Sequence, residues 1–347
     1  MKAPPFDPAL EAARKTFPVI AQLDEALVLE VQKATSPFFT QSTAETAFGQ
    51  DPEIEHEEIT VPGHDGCEVK LAVVRRRRRG STSDGGSERT PGSAKGDLKA
   101  KPRPAIYFMH GGGLCFGNRF VCTEQIPWVK DLDVVLVSVE YRLVPEHPYP
   151  IPLEDCYSGL RYVVENAAGL GIDKERIVVA GISAGGGLAA GLGLLGRDRG
   201  GLGIRGMCLM CPMLDDRNES ESCKQFYKSG TWNGAHNRVA WDWYFNRKKS
   251  GVSDGHGEGD GEVSFYASPG RATDLSDLPS TWIDVGEADL FRDEDVKFAS
   301  RIWEAGGSCE LHVWKGAWHA FEVFGKGSLV ANACDEARLN WLRRILA

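Results

Sequence analysis

Three side chains able to do acyl chemistry follow one another along this sequence. Ser183 stands in Gly181-Ile182-Ser183-Ala184-Gly185, an acid follows at Asp289 or, four residues on, Asp293, and His319 comes last. A hydroxyl becomes a nucleophile when an imidazole removes its proton, and a carboxylate holds that imidazole in the required tautomer. Upstream, His110-Gly111-Gly112-Gly113 offers backbone amides with no side chains in front of them. Such amides, at Gly111 and Gly112 together with that of Ala184, can hold an oxyanion, and losing one donor costs about 2.7–4 kcal/mol of transition-state stabilisation. A Gly-x-Ser-x-Gly pattern alone says little in a chain with 40 glycines. Its context says more.

Ser183 follows the apolar run Arg176-Ile177-Val178-Val179-Ala180 and opens into Gly186-Gly187-Leu188-Ala189-Ala190. That is strand, sharp turn and helix, the setting of a nucleophile elbow. The chain order Ser, Asp, His is the one used by α/β-hydrolases. From Pro104 onward, strand candidates at Ala105–Met109, Val134–Tyr141, Arg176–Ile182, Ile204–Cys211, Thr281–Val285 and Cys309–Trp314 alternate with helix candidates. The helices are expected at Asp155–Asn166, Gly187–Leu195, Asp293–Glu304 and Leu329–Leu346. Near-continuous apolar strands separated by helices predict an α/β fold with a mostly parallel sheet covered on both faces. A strand pair, Glu57–Val61 and Cys67–Val74, precedes it around a Pro62-Gly63-His64-Asp65-Gly66 turn.

The rhythm divides the chain into an N-terminal helical cap segment (1–50), a core (51–214), a cap insertion with an acidic loop (215–265) and the rest of the core (266–347). Within the core, Arg75 to Arg103 holds ten basic and three acidic residues. It reads as a flexible basic insertion. The insertion at 215–265 is aromatic, and Phe226, Trp232 and Trp241, with Phe38, Phe39 and Phe291, are candidates to line a substrate pocket.

With 347 residues, 42% of them hydrophobic, and a net charge of −9, the chain fits one globular α/β unit with no general affinity for nucleic acid. No apolar window is long enough for a membrane span. Nine scattered cysteines and a start, Met1-Lys2-Ala3-Pro4-Pro5, without an apolar signal core lead us to expect reduced thiols and a cytoplasmic address. No cofactor or metal is expected. Cys208-Leu-Met-Cys211 has no second pair to complete a zinc site. The acids of Asp254 to Glu262 lack the frame of a calcium loop. Two G-x-G-x-x-G matches, at Gly191 and Gly201, lie in the wrong context for a dinucleotide site.

Beyond the glycine loop and the elbow, the chain carries Glu140-Tyr141-Arg142-Leu143-Val144-Pro145-Glu146-His147-Pro148-Tyr149-Pro150 followed by Glu154-Asp155, and Tyr266-Ala267-Ser268-Pro269. It ends with Gly286-Glu287-Ala288-Asp289-Leu290-Phe291-Arg292-Asp293 and Gly316-Ala317-Trp318-His319-Ala320-Phe321. This ordered set resembles the hormone-sensitive-lipase-like family of α/β-hydrolases, the arylacetamide-deacetylase and microbial carboxylesterase group. The resemblance implies a triad of Ser183, Asp289 and His319, with Asp293 left to the first turn of a helix and His110 anchoring the glycine loop. It implies hydrolysis of a small-molecule ester, short to medium in chain or aromatic, or of a lactone or acetylated natural product; a homodimer is left open. Two positions depart from the family pattern: Ile182 where Asp or Thr is usual, and Ala320 where Gly is usual. Plant gibberellin receptors resemble the same family yet bind without hydrolysis after losing the histidine, which here is present as His319.

Overall fold

The computed structural model describes residues 2–16, 20, 22–33, 43–49, 51–78, 101–247 and 263–347. Eight strands form one sheet: β1 (Ile54–Pro62), β2 (Glu68–Arg76), β3 (Arg103–Met109), β4 (Val135–Glu140), β5 (Ile172–Ile182), β6 (Ile204–Met210), β7 (Ser280–Gly286) and β8 (Cys309–Trp314). Their order across the sheet is β1-β2-β4-β3-β5-β6-β7-β8. β1 and β2 are antiparallel to their neighbours, and every pairing from β4 to β8 is parallel. This is the expected α/β-hydrolase fold.

Strand pleating sends successive side chains to opposite faces. In β3, Ala105, Tyr107 and Met109 enter one core while Ile106 and Phe108 enter the other. β5 splits the same way, with Ile177 and Val179 on one side and Val178 and Ala180 on the second. Helices Ile151–Glu165, Ala184–Arg199 and Arg292–Glu304 supply the first core, and Ile126–Leu132 and Leu329–Leu346 the second. The apolar runs are continuous because both faces are covered.

The helix over Ile151–Glu165 starts four residues before its expected start, since Pro152 in its first turn gives up no needed amide. The basic stretch differs at its ends: Arg75 and Arg76 complete β2, and Arg103 begins β3 with its guanidinium donating to the Arg76 carbonyl at 2.9 Å. Residues 79–100 lie outside the described residues, as does the acidic run Asp254 to Glu262. The N-terminal segment contains helices Pro8–Thr16, Glu25–Lys33 and Ala44–Phe48, and the 215–265 segment contains Glu221–Gln225 and Gly234–Tyr244. Among the described residues, no helix is long and apolar enough to cross a membrane.

The chain winds from β3 to β4 in one direction and from β5 to β6 in the other. Loops leaving β3 and β5 therefore part, and a crevice opens between their C-terminal ends, the place where open α/β sheets bind ligands. Register does the rest. Met109 pairs with Gly181, Ile182 with Met210, Met210 with Asp284, and Gly286 with Trp314. The loops after β3, β5, β6, β7 and β8 thus emerge along one edge.

Beneath that edge a buried arginine ties two of these loops to the last helix. Arg338 donates to Asp284 in β7 at 2.7 Å and to Glu322, three residues past His319, at 3.3 Å. All three are buried. Truncating one partner of such a set strands the remaining charges, at about 3–5 kcal/mol. Arg338→Ala is expected to lose stability of that order in urea unfolding. A loss under about 1 kcal/mol would show that the network contributes no more than a surface pair does.

Candidate active site

Ser183 sits between β5 and the helix Ala184–Arg199 with φ 58° and ψ −121°. A non-glycine residue there costs on the order of 1–3 kcal/mol, so its surroundings must impose it. They do. The Ser183 amide donates to the Met210 carbonyl at 2.8 Å, and its carbonyl accepts from Met213 at 3.0 Å. A Cβ on Gly181 would lie 2.1 Å from the Gly185 carbonyl oxygen, and one on Gly185 would lie 2.1 Å from that of Met109. Glycine is required at both places because backbone passes against backbone. The helix expected from Gly187 consequently begins at Ala184, with the glycines as its first turn.

The Ser183 hydroxyl lies 2.8 Å from His319 Nε2, and His319 Nδ1 lies 2.8 Å from Asp289 Oδ2. The other Asp289 oxygen accepts the Phe291 amide at 3.0 Å. All three side chains are buried, with 6% exposure left to Ser183 and His319 and 1% to Asp289. Asp293 faces elsewhere: it accepts the Ser222 amide at 2.7 Å and pairs with Arg292 in the first turn of its helix. The loops bearing Asp289 and His319 are laced together by Glu287 and Ala288 amides donating to the Trp314 and Ala317 carbonyls.

The glycine loop comes up beside the serine. A Cβ on Gly111 would lie 3.4 Å from Ser183 Cβ and 3.0 Å from the Ile182 carbonyl oxygen. Gly112 and Gly113 have φ of 118° and 61°, a conformation that suits glycine. Ala184 opens its helix, where amides have no intrahelical partner and point outward. His110 is fully buried, its Nδ1 2.8 Å from the Gly111 carbonyl oxygen and its ring stacked on Tyr141 at 4.2 Å. The Tyr141 hydroxyl donates to the His110 carbonyl at 2.7 Å. Burial lowers the His110 pKa, which suits a neutral strut. His312, by contrast, stacks on Trp282 within β8.

The two departures have local explanations. The Ile182 side chain packs on the glycine loop, 3.3 Å from where a Gly111 Cβ would stand. Ala320 has φ 59° and ψ 33°, a left-handed residue directly after His319. An alanine pays for that conformation in strain where glycine would not.

Of the pocket candidates, Phe291 meets the His319 ring edge-on at 5.1 Å. The Trp232 ring lies against Gly113, its nearest carbon 2.3 Å from where a Cβ would stand. Phe226 packs on Phe6 and Trp241 stacks on Phe245. Phe38 and Phe39 lie outside the described residues. Three contributors escaped sequence reasoning. The Thr231 hydroxyl donates to the His319 carbonyl at 2.9 Å, Gln32 donates to the Cys115 and Val144 carbonyls, and Cys211 stands beside the Asp289–His319 pair. No spacing links residues 88 positions apart.

Gly185→Ala is expected to destabilise by at least about 3 kcal/mol, since rigid backbone rather than a side chain must yield. Thermal unfolding of the variant checks this. Ala320→Gly should move the other way, stabilising by up to about 1 kcal/mol once glycine's greater chain entropy is subtracted. A melting temperature below that of the parent protein would contradict it.

Comparison with known proteins points to the same fold. A family model described as alpha/beta hydrolase fold matches residues 106–323. Esterase LipI of Mycobacterium tuberculosis is 32% identical over 213 residues, covering 60% of this chain and 62% of that protein, so the chain spans less than two thirds of LipI. Carboxylesterase NlhH of the same species is 31% identical over 255 residues, covering 67% of this chain and 70% of NlhH. Among solved structures, a bacterial heroin esterase superimposes with a TM-score of 0.82 at 32% identity, covering 99% of this chain and 98% of its own. The chain belongs to the alpha/beta hydrolase fold family, in the hormone-sensitive-lipase-like group of carboxylesterase-type hydrolases.

Proposed function

We propose that this protein hydrolyses short- to medium-chain or aromatic carboxylic esters through an acyl-enzyme on Ser183. The observation that carries the reading is the relay from Ser183 Oγ to His319 Nε2 and from His319 Nδ1 to Asp289, each 2.8 Å and buried. His319 takes the Ser183 proton as the hydroxyl attacks the ester carbonyl. The amides of Gly111, Gly112 and Ala184 receive the negative charge that develops on the carbonyl oxygen. The imidazolium then protonates the leaving alcohol, and a water, deprotonated in turn by His319, releases the acid.

In this reading the N-terminal helices and the 215–265 segment act as a cap over the crevice, acting within the cytoplasm. Thr231 fastens that segment to the His319 backbone, and the next residue, Trp232, lies on the glycine loop. Trp232 then makes an apolar wall beside the glycine loop, which favours an apolar acyl or aromatic group of limited length.

Hydrolysis of p-nitrophenyl esters from acetate to palmitate tests the proposal. Activity peaking at short or medium chains is expected, and Ser183→Ala should abolish it. Asp289→Asn should lower kcat by about 10⁴, as loss of the orienting carboxylate does elsewhere, while Asp293→Asn should not. Wild-type turnover by Ser183→Ala would sink the mechanism. No turnover on any ester, with Ser183 still labelled by an organophosphate, would redirect the assignment to a narrow substrate such as one lactone. Trp232→Ala should raise kcat/KM for the decanoate relative to the acetate by at least about tenfold; an unchanged ratio would remove Trp232 from the pocket.

A further inference from the structure

β6 ends at Met210 and the next residue, Cys211, turns at φ 36° beside the elbow. Its amide donates to the Asp284 carbonyl at 2.7 Å, which fixes it between β5 and β7. One ligand atom each from Cys211, Asp289 and His319 lie within 4.8 Å of one another, and all three side chains are buried. Thiolate, imidazole and carboxylate are the ligands that Zn²⁺ takes in proteins. Tetrahedral coordination with their usual bond lengths sets ligand atoms about 3.3–3.8 Å apart.

Two further acids are buried in the same layer. Asp295 is fully buried, and neither of its carboxyl oxygens has a hydrogen-bond partner. Burial, and then the nearby Glu294, Asp289 and Asp284, push its pKa well above the usual carboxylate range. Glu294 is pushed up too, by burial and by Asp215, although it accepts the Leu214 and Asp215 amides. Both are thereby held toward their neutral forms, and the cation's ligands remain Cys211, Asp289 and His319.

We infer that Cys211, Asp289 and His319 form a site for a thiophilic divalent cation such as Zn²⁺, and that its occupation switches the hydrolase off. On binding, the Cys211 S–H bond breaks and its proton leaves to solvent, the His319 nitrogen that meets the ion passes any proton it carries to the other ring nitrogen, and a Zn–S bond forms with no change of oxidation state. His319, held by the ion, no longer accepts the Ser183 proton. The inhibitory half rests on the proposed roles of Ser183, His319 and Asp289; the binding half does not.

The full chain, stripped of metal by a chelator, is titrated with Zn²⁺ during p-nitrophenyl acetate hydrolysis and, separately, with Co²⁺ while its absorption is recorded. Inhibition by Zn²⁺ that a chelator reverses is expected, with the half-inhibiting concentration raised at least about tenfold in Cys211→Ala. Co²⁺ should give a thiolate charge-transfer band that disappears in Cys211→Ala and survives in Cys309→Ser. Cys211→Ser, close to cysteine in volume, supplies the same spectrum if the alanine variant fails to fold. Equal zinc sensitivity with and without Cys211, or no thiolate band in the wild type, overturns the inference. A band dependent on Cys211 in a protein that hydrolyses no ester would uphold the cation site and count against the hydrolase reading.

Discussion

Everything at the functional edge depends on one close approach of backbone. The chain must reverse from β5 into a helix within a single residue, and that residue, Ser183, is left-handed at φ 58°. Gly181 and Gly185 face each other and the end of β3 at distances no side chain could share. Because β3 and β5 are register-paired at Met109 and Gly181, the glycine loop and the serine must come out side by side. Ser183 is thus aimed by packing of main chain on main chain, in an interior too dense to relax.

Electrostatics then organise the layer below. Asp284, Asp289, Glu294, Asp295 and Glu322 are all buried, and Arg338 pairs with Asp284 and Glu322. Burial raises Glu322, and Arg338 beside it opposes that rise. Glu294 and Asp295 have no such neighbour in contact and are held toward their neutral forms. Asp289 differs from them in facing the His319 imidazole. One kind of side chain therefore takes on different tasks according to what faces it.

The segments outside the sheet act through a few fasteners. Thr231 holds the His319 backbone, Trp232 covers Gly113, Gln32 bridges the loops at Cys115 and Val144, and the Asp7 amide donates to the Gly316 carbonyl. Further along the Glu140–Pro150 motif, Arg142 pairs with buried Asp155 at 2.7 Å and reaches Asp65 in the β1–β2 turn. That motif is thereby a strut for the β3 loop, with Tyr141 carrying His110.

What the sequence by itself determined was local. Apolar runs with turns between them specified the strands, and glycines around Ser183 specified an elbow, because pleat and turn are properties of neighbouring residues. The family motifs pointed to Ser183, Asp289 and His319 before any distance was available. Only the tertiary structure shows which acid meets His319: Asp289, in the loop after β7, faces the imidazole, while Asp293, in the first turn of the next helix, faces the Ser222 amide. It alone set Trp232 against the glycine loop, Phe226 against Phe6 and Trp241 against Phe245, a matter of packing that aromatic composition cannot express. Cys211 read as one more buried strand residue, yet the pairing of β6 with β5 and β7 sets it beside His319. Contacts of that kind join residues far apart in the chain, and spacing along a sequence carries no information about them.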